Sequence, residues 1–502
     1  MKVSRIRREV LQAIGSIGAV SSVLRLGMLA PPARAAELKE EGRDGADGMN
    51  VVQDVLVIGS GIAGLSAACA AREAGAERVL VLEKGPLAGG HSLYSSGSIS
   101  LVSEKRQKPA GVEDSPEVFL EDALAFGGGV GDRAILARIG RESEAAVDWL
   151  EGMGVRFGPV FRARASTRSR CVSSIGNSAG RTYVLALMAR AVKSGVRVRL
   201  ESAVTGLVRS TDGLWRVSVR SGAGSDSKDS ELRARAVVIA AGGFAASAKK
   251  RREAQPEIPA DMRTSANPFG MLWEDAEANG MDLGRSVGAA VRTGFGLQLL
   301  PYWGGRLNDY DGGDIFVSTA GERFIDEGLP WNTISRAVMR LPGQQFFVIT
   351  DSVSRKSATL GVKLANGLVT KSATVGEMAR GMDVPEEVLT RTLARYNSAA
   401  AAGRDPDFGK TVFTQTIDHP PYYWGRERIF VHTTLDGLAT DDEARLLDRR
   451  NRPIPGLFAA GEVVGGVFGL DRMGGAGVAN CLVMGRAAGH NAAAAAGQRD
   501  GS

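Results

Sequence analysis

Two kinds of apolar run organise this chain. Short, nearly continuous runs bounded by turn residues read as buried strands: 54–58 (DVLVI), 79–82 (VLVL), 232–238 leading into IAAGG at 239–243, and IPGLFAAGE at 454–462. Longer stretches of Ala and small apolar residues read as helices, one opening at Gly59 and running to about Ala74, the other following Gly475 through Asn480 to Ala488. The first 35 residues follow neither pattern. They carry a mild apolar stretch from Val10 to Leu24, diluted by Gly and Ser, and 36–52 follow as a polar, Gly-containing linker. After Ala488 the chain is Ala-rich and then polar, the end of the last helix and a frayed tail.

The first strand, helix and second strand hold a motif in its required setting. Gly59-Ser-Gly61-Ile62-Ala63-Gly64 joins strand to helix, and the second strand ends in Glu83 followed by Lys84. This is the dinucleotide fingerprint of a Rossmann-like unit: Gly59 makes the turn, Gly61 lets backbone approach a pyrophosphate, and Gly64 allows close helix–strand packing. The helix N-terminus favours the phosphates through free N–H groups and its dipole, and Glu83 accepts ribose hydroxyls. The fingerprint alone does not separate NAD from FAD. The later turns at Ala241-Gly242 and at Gly461-Glu462 resemble those of FAD-containing proteins, and the helix carrying Gly477 and Val478 would face the flavin ring.

Together these segments resemble the fumarate reductase/succinate dehydrogenase flavoprotein family, its soluble periplasmic branch above all, over roughly 53–495. Gly89-Gly90-His91-Ser92 through Gly97 is similar to the family's flavin-contacting loop, and Ala203-Val204 to the segment that holds adenine by backbone. Asp114–Glu117 and Ala146–Leu150 resemble its helical insertion, and Gly321-Glu-Arg323-Phe324 resembles a turn in its capping domain. His432-Thr-Thr and Asp471-Arg472-Met-Gly-Gly475 resemble its substrate-holding motifs. The resemblance implies an α/β fold: a Rossmann-like FAD-binding domain, 53–295 and 432–495, interrupted by an α+β capping (clamp) domain at 296–431, with a tail at 496–502. It also implies FAD, read as non-covalent, with covalent attachment through His91 as the alternative because membrane-bound relatives carry a flavin-bonded His in this loop.

Charge changes the picture next. The formal net charge is +6, but residues 1–35 hold six basic residues against Glu9 alone, a net of +5, so 36–502 carry only +1. That excludes a nucleic-acid footprint on the mature part. The basic start, Arg7-Arg8, the apolar stretch and Ala33-Arg34-Ala35 read as an export signal of twin-arginine type, although Ile6 and Val10 depart from its usual residues. The expected location is therefore the periplasm. No apolar run of 18 residues argues for a membrane span. Cys69, Cys171 and Cys481 show no C-x-x-C, haem or metal-ligand spacing, and the four His form no metal cluster, so no metal is expected.

The chemistry implied is hydride exchange at one carbon of a CH–CH bond and proton movement at its neighbour, with Arg472 and His432 holding an oxygen of an adjacent carboxylate or carbonyl. Three departures bear on this. Trp331 falls where family reductases place a proton-delivering Arg, Tyr310 near a relaying Arg, and Leu300 near a second carboxylate-binding His. Losing that ligand points to a substrate with one carboxylate or carbonyl and an apolar far end lined by Leu300, Tyr302, Trp303 and Trp331. Tyr310 or Tyr302 then becomes the replacement acid/base. The expectation is an exported enoate reductase or acyl dehydrogenase type of enzyme, exchanging electrons with a separate c-type cytochrome or quinol-linked carrier. The alternatives are a 3-ketosteroid-type dehydrogenase using Tyr chemistry and a non-catalytic electron-transfer flavoprotein subunit.

Overall fold

The computed structural model describes residues 51–163, 166–175, 179–222, 226–267, 276–301, 304, 305, 307, 308, 310, 312–356 and 360–498. The signal segment 1–35, the linker up to residue 50, the last four residues of the tail, Tyr302 and Trp303 lie outside the described residues.

Strand Val52–Ile58 sits inside an eight-stranded sheet. It pairs in parallel with Val79–Leu82 on one side and Lys228–Ile239 on the other. Arg197–Arg199 extends the first side and Pro453–Ala459 the second, both in parallel. The two chain segments far apart in sequence therefore complete one sheet. Val55, Leu56 and Val57 are fully buried, which is why this strand reads as an uninterrupted apolar run rather than an alternating one. An antiparallel meander, Ser202–Arg209 with Trp215–Ser221, joins the sheet at Lys228–Ile239.

The turn after the first strand is sterically determined. Gly59 has φ +104°, and a Cβ there would lie 2.4 Å from the Ala240 carbonyl oxygen. A Cβ on Gly64 would lie 2.0 Å from the Gly59 oxygen, so helix Ile62–Glu73 packs directly over the turn. Helix Ala476–Gly497 lies against that helix: a Cβ on Gly485 would stand 2.6 Å from the Ala63 oxygen, and one on Gly489 2.1 Å from the Ala67 oxygen. Small residues are thus required for the backbones to approach. The helix runs on through the Ala-rich stretch to Gly497, because Ala492, Ala493 and Ala496 bury against the core.

A second sheet of five strands is built from Leu297–Pro301, Tyr422–Thr434, Gln345–Thr350, Ile315–Val317 and Thr370–Ser372. Helices Val375–Met382 and Glu386–Ala402 cover it, with Phe347, Met378, Leu389, Tyr396 and Trp424 in a core of their own. The long strand Tyr422–Thr434 carries His432 at the register shift in its pairing with Leu297–Pro301, between the Gln298–Thr433 and Leu299–Val431 pairs.

A buried ion cluster closes the turn after Ile315–Val317. Arg323 bonds Glu327 through Nε at 2.8 Å and Nη2 at 3.0 Å, and reaches Asp405 at 2.9 Å. Lys410 Nζ lies 3.2 Å from Glu327. Burial alone would raise the Glu327 pKa, but Lys410 and Arg323 outweigh it and hold the carboxyl below its ordinary value. A depressed folded pKa means that this stabilisation is present above the ordinary carboxylate range and is lost as pH falls through the folded value. Arg323→Met should cost about 3–5 kcal/mol at neutral pH by leaving buried acids under-paired. Thermal melts should show the gap to wild type narrowing on acidification, as those acids take up protons. A gap that is small or independent of pH would refute the account.

Candidate active site

One large cavity opens at the carboxyl ends of the parallel strands. Its wall contains Gly59, Gly61, Ile62, Ala63, Glu83, Lys84, Gly90, His91, Ser92, Val204, Ala241, Gly242, Gly461, Glu462, Gly477 and Val478. Cβ atoms built on Gly90 or Gly242 would meet nothing within 4 Å, so these backbone strips border open space of the kind a large cofactor fills. The first helix turn is reached by Ser92, whose Oγ accepts Ile62 N at 3.1 Å. Helix Ala476–Gly497 begins at Gly475 with no side-chain cap, so its N-terminal N–H groups meet the cavity without a competing acceptor from that residue.

Several expected residues also make contacts within the protein. Glu83 accepts Ser60 N at 3.1 Å and Gly85 N at 2.9 Å, so its carboxylate braces the fingerprint turn while bordering the cavity. Gly64 lies behind the turn, and Gly97 accepts the Tyr183 hydroxyl at 2.7 Å; neither is on the cavity wall. Lys84 reaches Asn279 Oδ1 at 3.3 Å.

The other end of the cavity holds the charged groups. Arg472 and His432 both border it. The Arg472 side chain donates through Nη2 to Gln298 Oε1 at 3.0 Å, and its buried Nε has no hydrogen-bond partner. It forms no ion pair among the described residues. Burial pulls the guanidinium pKa down, against the opposing charges of Glu462 and Asp471. His432 Nδ1 meets Ser265 Oγ at 2.7 Å, Ser265 Oγ meets His91 Nε2 at 3.3 Å, and His91 Nδ1 meets Glu462 Oε2 at 3.2 Å. The two imidazoles stand edge to face, 5.6 Å apart. Burial pushes the Glu462 pKa up, but hydrogen bonds from His91 and Thr434 N outweigh it and hold the carboxyl below its usual range.

Comparison with known proteins decides what fills the cavity. Residues 54–478 match the FAD binding domain family. The chain belongs to that family. It is 32% identical over 458 residues to a probable fumarate reductase of Shewanella frigidimarina, covering 89% of this chain and 76% of that relative. It is also similar to the solved open conformation of a flavocytochrome c3 fumarate reductase (31% identity, TM-score 0.69, 90% of this chain, 80% of that one). A third relative is the 3-ketosteroid-Δ4-(5α)-dehydrogenase of Rhodococcus jostii RHA1 (25% identity, TM-score 0.66, 88% and 97%). The protein is a flavoprotein oxidoreductase with FAD as its cofactor, and the glycine-lined cavity fits that group.

The tyrosine expectation fares differently in this flavoprotein. Tyr310 is not on the cavity wall: its hydroxyl accepts Arg355 N at 3.0 Å, its ring lies 5.4 Å from the Arg355 guanidinium, and burial raises its pKa. Tyr302 lies outside the described residues. Leu300 and Trp331 are packed into the main core and do not border the cavity either. Three participants escaped the sequence reading: Ser265, Gln298 and Asn332. Gln298 had a signal, since a lone amide within the apolar run LQLLP must be bonded if buried. Ser265 and Asn332 had none, because their partners lie far away in the chain.

Proposed function

We propose that this flavoprotein reduces or oxidises a CH–CH bond adjacent to a carboxylate or carbonyl, in the manner of an enoate reductase or acyl dehydrogenase. The observation that carries the reading is the Arg472 guanidinium on the cavity wall, without an ion pair among the described residues. A cation half-buried in this way is poised for an oxygen of the substrate, which it can engage as a planar fork. When bound, FAD supplies the hydride chemistry. His432, held at Nδ1 by Ser265, would add a second donor to the same oxygen and draw electron density from the reacting bond. Trp331 carries no acid proton suited to the transfer, and Tyr310 is off the wall. Among the described residues, the Ser265–His91–Glu462 chain makes His432 a proton-bearing group with its own relay beside the cavity.

Segment 296–431, containing most of the second sheet, is proposed as the cap that closes over the substrate and excludes water. Residues 1–35 are proposed as an export signal of twin-arginine type, which places the enzyme in the periplasm. Among the described residues no helix is long and apolar enough to cross a membrane. Electrons would pass to or from a separate c-type cytochrome or quinol-linked carrier.

Likeness to the ketosteroid dehydrogenase is the specific observation favouring a second reading, a steroid substrate with Tyr chemistry. Arg472 on the wall and Tyr310 off it weigh against that reading. Anaerobic spectroscopy separates the two. Reduced protein should regain oxidised flavin absorbance with unsaturated monocarboxylates such as cinnamate, and oxidised protein should stay yellow with 3-ketosteroids. Bleaching by a steroid, with indifference to enoates, would sink the proposal. Indifference to both would favour a non-catalytic electron-transfer role.

The attachment of FAD can be tested by colour. Both His91 ring nitrogens are engaged, Nδ1 by Glu462 and Nε2 by Ser265, so acid precipitation should release the yellow chromophore and leave a colourless pellet. A yellow pellet would show covalent attachment, for which His91 is the candidate residue.

A further inference from the structure

Helix Trp331–Val338, on the second sheet, begins without a cap of its own. Pro330 holds the N-cap position and offers no side-chain acceptor, and the first turn has no acidic residue. The missing acceptor comes from the loop that carries Arg472: Asp471 Oδ2 accepts Asn332 N at 3.0 Å. A carboxylate at a helix start satisfies an otherwise orphaned N–H and is favoured by the helix dipole. Asn332 then ties the same loop from its side chain, donating to Leu470 O at 2.8 Å, and ties strand Leu297–Pro301 by accepting from Leu299 N at 2.9 Å.

The second oxygen of that carboxylate faces the arginine. Asp471 Oδ1 accepts Gln298 Nε2 at 2.7 Å and Arg472 N at 2.8 Å. The Gln298 amide nitrogen also donates to Arg472 O at 2.8 Å, while its oxygen accepts Arg472 Nη2 at 3.0 Å. Gln298 is 1% exposed and Asp471 4%. The amide cannot turn over: a flip would set NH2 against the guanidinium and oxygen against both the carboxylate and the Arg472 carbonyl. Asp471 thus fixes which way Gln298 points, and Gln298 fixes where Arg472 Nη2 lies.

We infer that Asp471 and Gln298 are positioning residues that couple the seating of helix Trp331–Val338 to the aim of the Arg472 guanidinium. Helix seated on Asp471, amide held, arginine aimed at the cavity: each contact presupposes the one before it. The inference rests on the reading of Arg472 as the group that holds a substrate carboxylate. It adds that binding at Arg472 and order at the helix start stabilise each other, since coupling between two sites is reciprocal.

The test uses the FAD-loaded protein and benzoate, an unreactive carboxylate, followed by its perturbation of flavin absorbance and by hydrogen–deuterium exchange at residues 332–335. In wild type, benzoate should bind and slow exchange at the helix start. Gln298→Leu should keep its FAD and bind benzoate about ten-fold more weakly, as expected for loss of a hydrogen bond to a charged group. It should also lose the benzoate-induced protection of 332–335 when compared at equal saturation. Gln298→Met, of similar reach, should behave alike and guards against a packing defect peculiar to Leu. Protection that persists at equal saturation in both variants, or is absent from wild type that binds benzoate through Arg472, would overturn the coupling alone. Benzoate that binds Arg472→Ala as tightly as wild type would overturn the carboxylate-holding reading, and the coupling with it.

Discussion

Arg472→Ala is expected to slow substrate-driven flavin reoxidation severely while leaving FAD in place. The guanidinium borders the cavity but braces none of the fingerprint turns, so cofactor content should stay near one per chain. Its removal leaves a substrate carboxylate in a half-buried site without its cation. Losing one partner of such a charge-assisted contact costs about 2–5 kcal/mol, roughly thirty- to several-thousand-fold in kcat/KM. Arg472→Lys should recover little, because a point charge on a flexible stem cannot reproduce a fork that is already held at Nη2 by Gln298. Stopped-flow traces of the anaerobically reduced variants measure this directly. An unchanged rate in Arg472→Ala would remove the arginine from the mechanism.

Gly64→Ala is expected to lose FAD altogether. Alanine is the better helix former by about 1 kcal/mol, so propensity alone predicts a small gain. The steric term wins, because the new Cβ would stand 2.0 Å from the Gly59 oxygen, a backbone atom held in the turn that borders the cavity. Relief requires the helix to lift from the strand, at a cost of roughly 3 kcal/mol or more. The ratio of flavin to protein absorbance after purification should fall near zero, with a lowered Tm. A variant that purifies yellow with an unchanged Tm would refute this account of the turn.

Much of the cofactor end was legible in the sequence for a physical reason. Residues 54–64 combine a doubly buried strand, a steric turn and a helix start within one short segment, so local pattern and tertiary role coincide. The closing strand and helix were legible likewise, the helix ending within its Ala-rich stretch, whose alanines remain buried as far as Ala496. The proposed substrate end was only half legible. Arg472 and His432 announce themselves by type and context, but the groups that aim them do not. Ser265 acts on a histidine 167 positions away and Asp471 on the Gln298 amide 173 positions away. Neither separation leaves a local pattern. Tyr310 was misplaced because its expected role depended on the register of an irregular loop, and the fold instead turns its hydroxyl to Arg355 N.

The central claim is that this flavoprotein adds or removes two hydrogens across a carbon–carbon bond whose neighbour carries the oxygen held by Arg472. It can be read from the product. Chemically reduced protein, mixed anaerobically with cinnamate in deuterium oxide, should yield the saturated acid. Solvent-derived deuterium should appear by NMR at the carbon next to the carboxylate, where the proton is delivered. Recovery of unchanged cinnamate, or a product in which that carbon carries no solvent deuterium, would contradict the account.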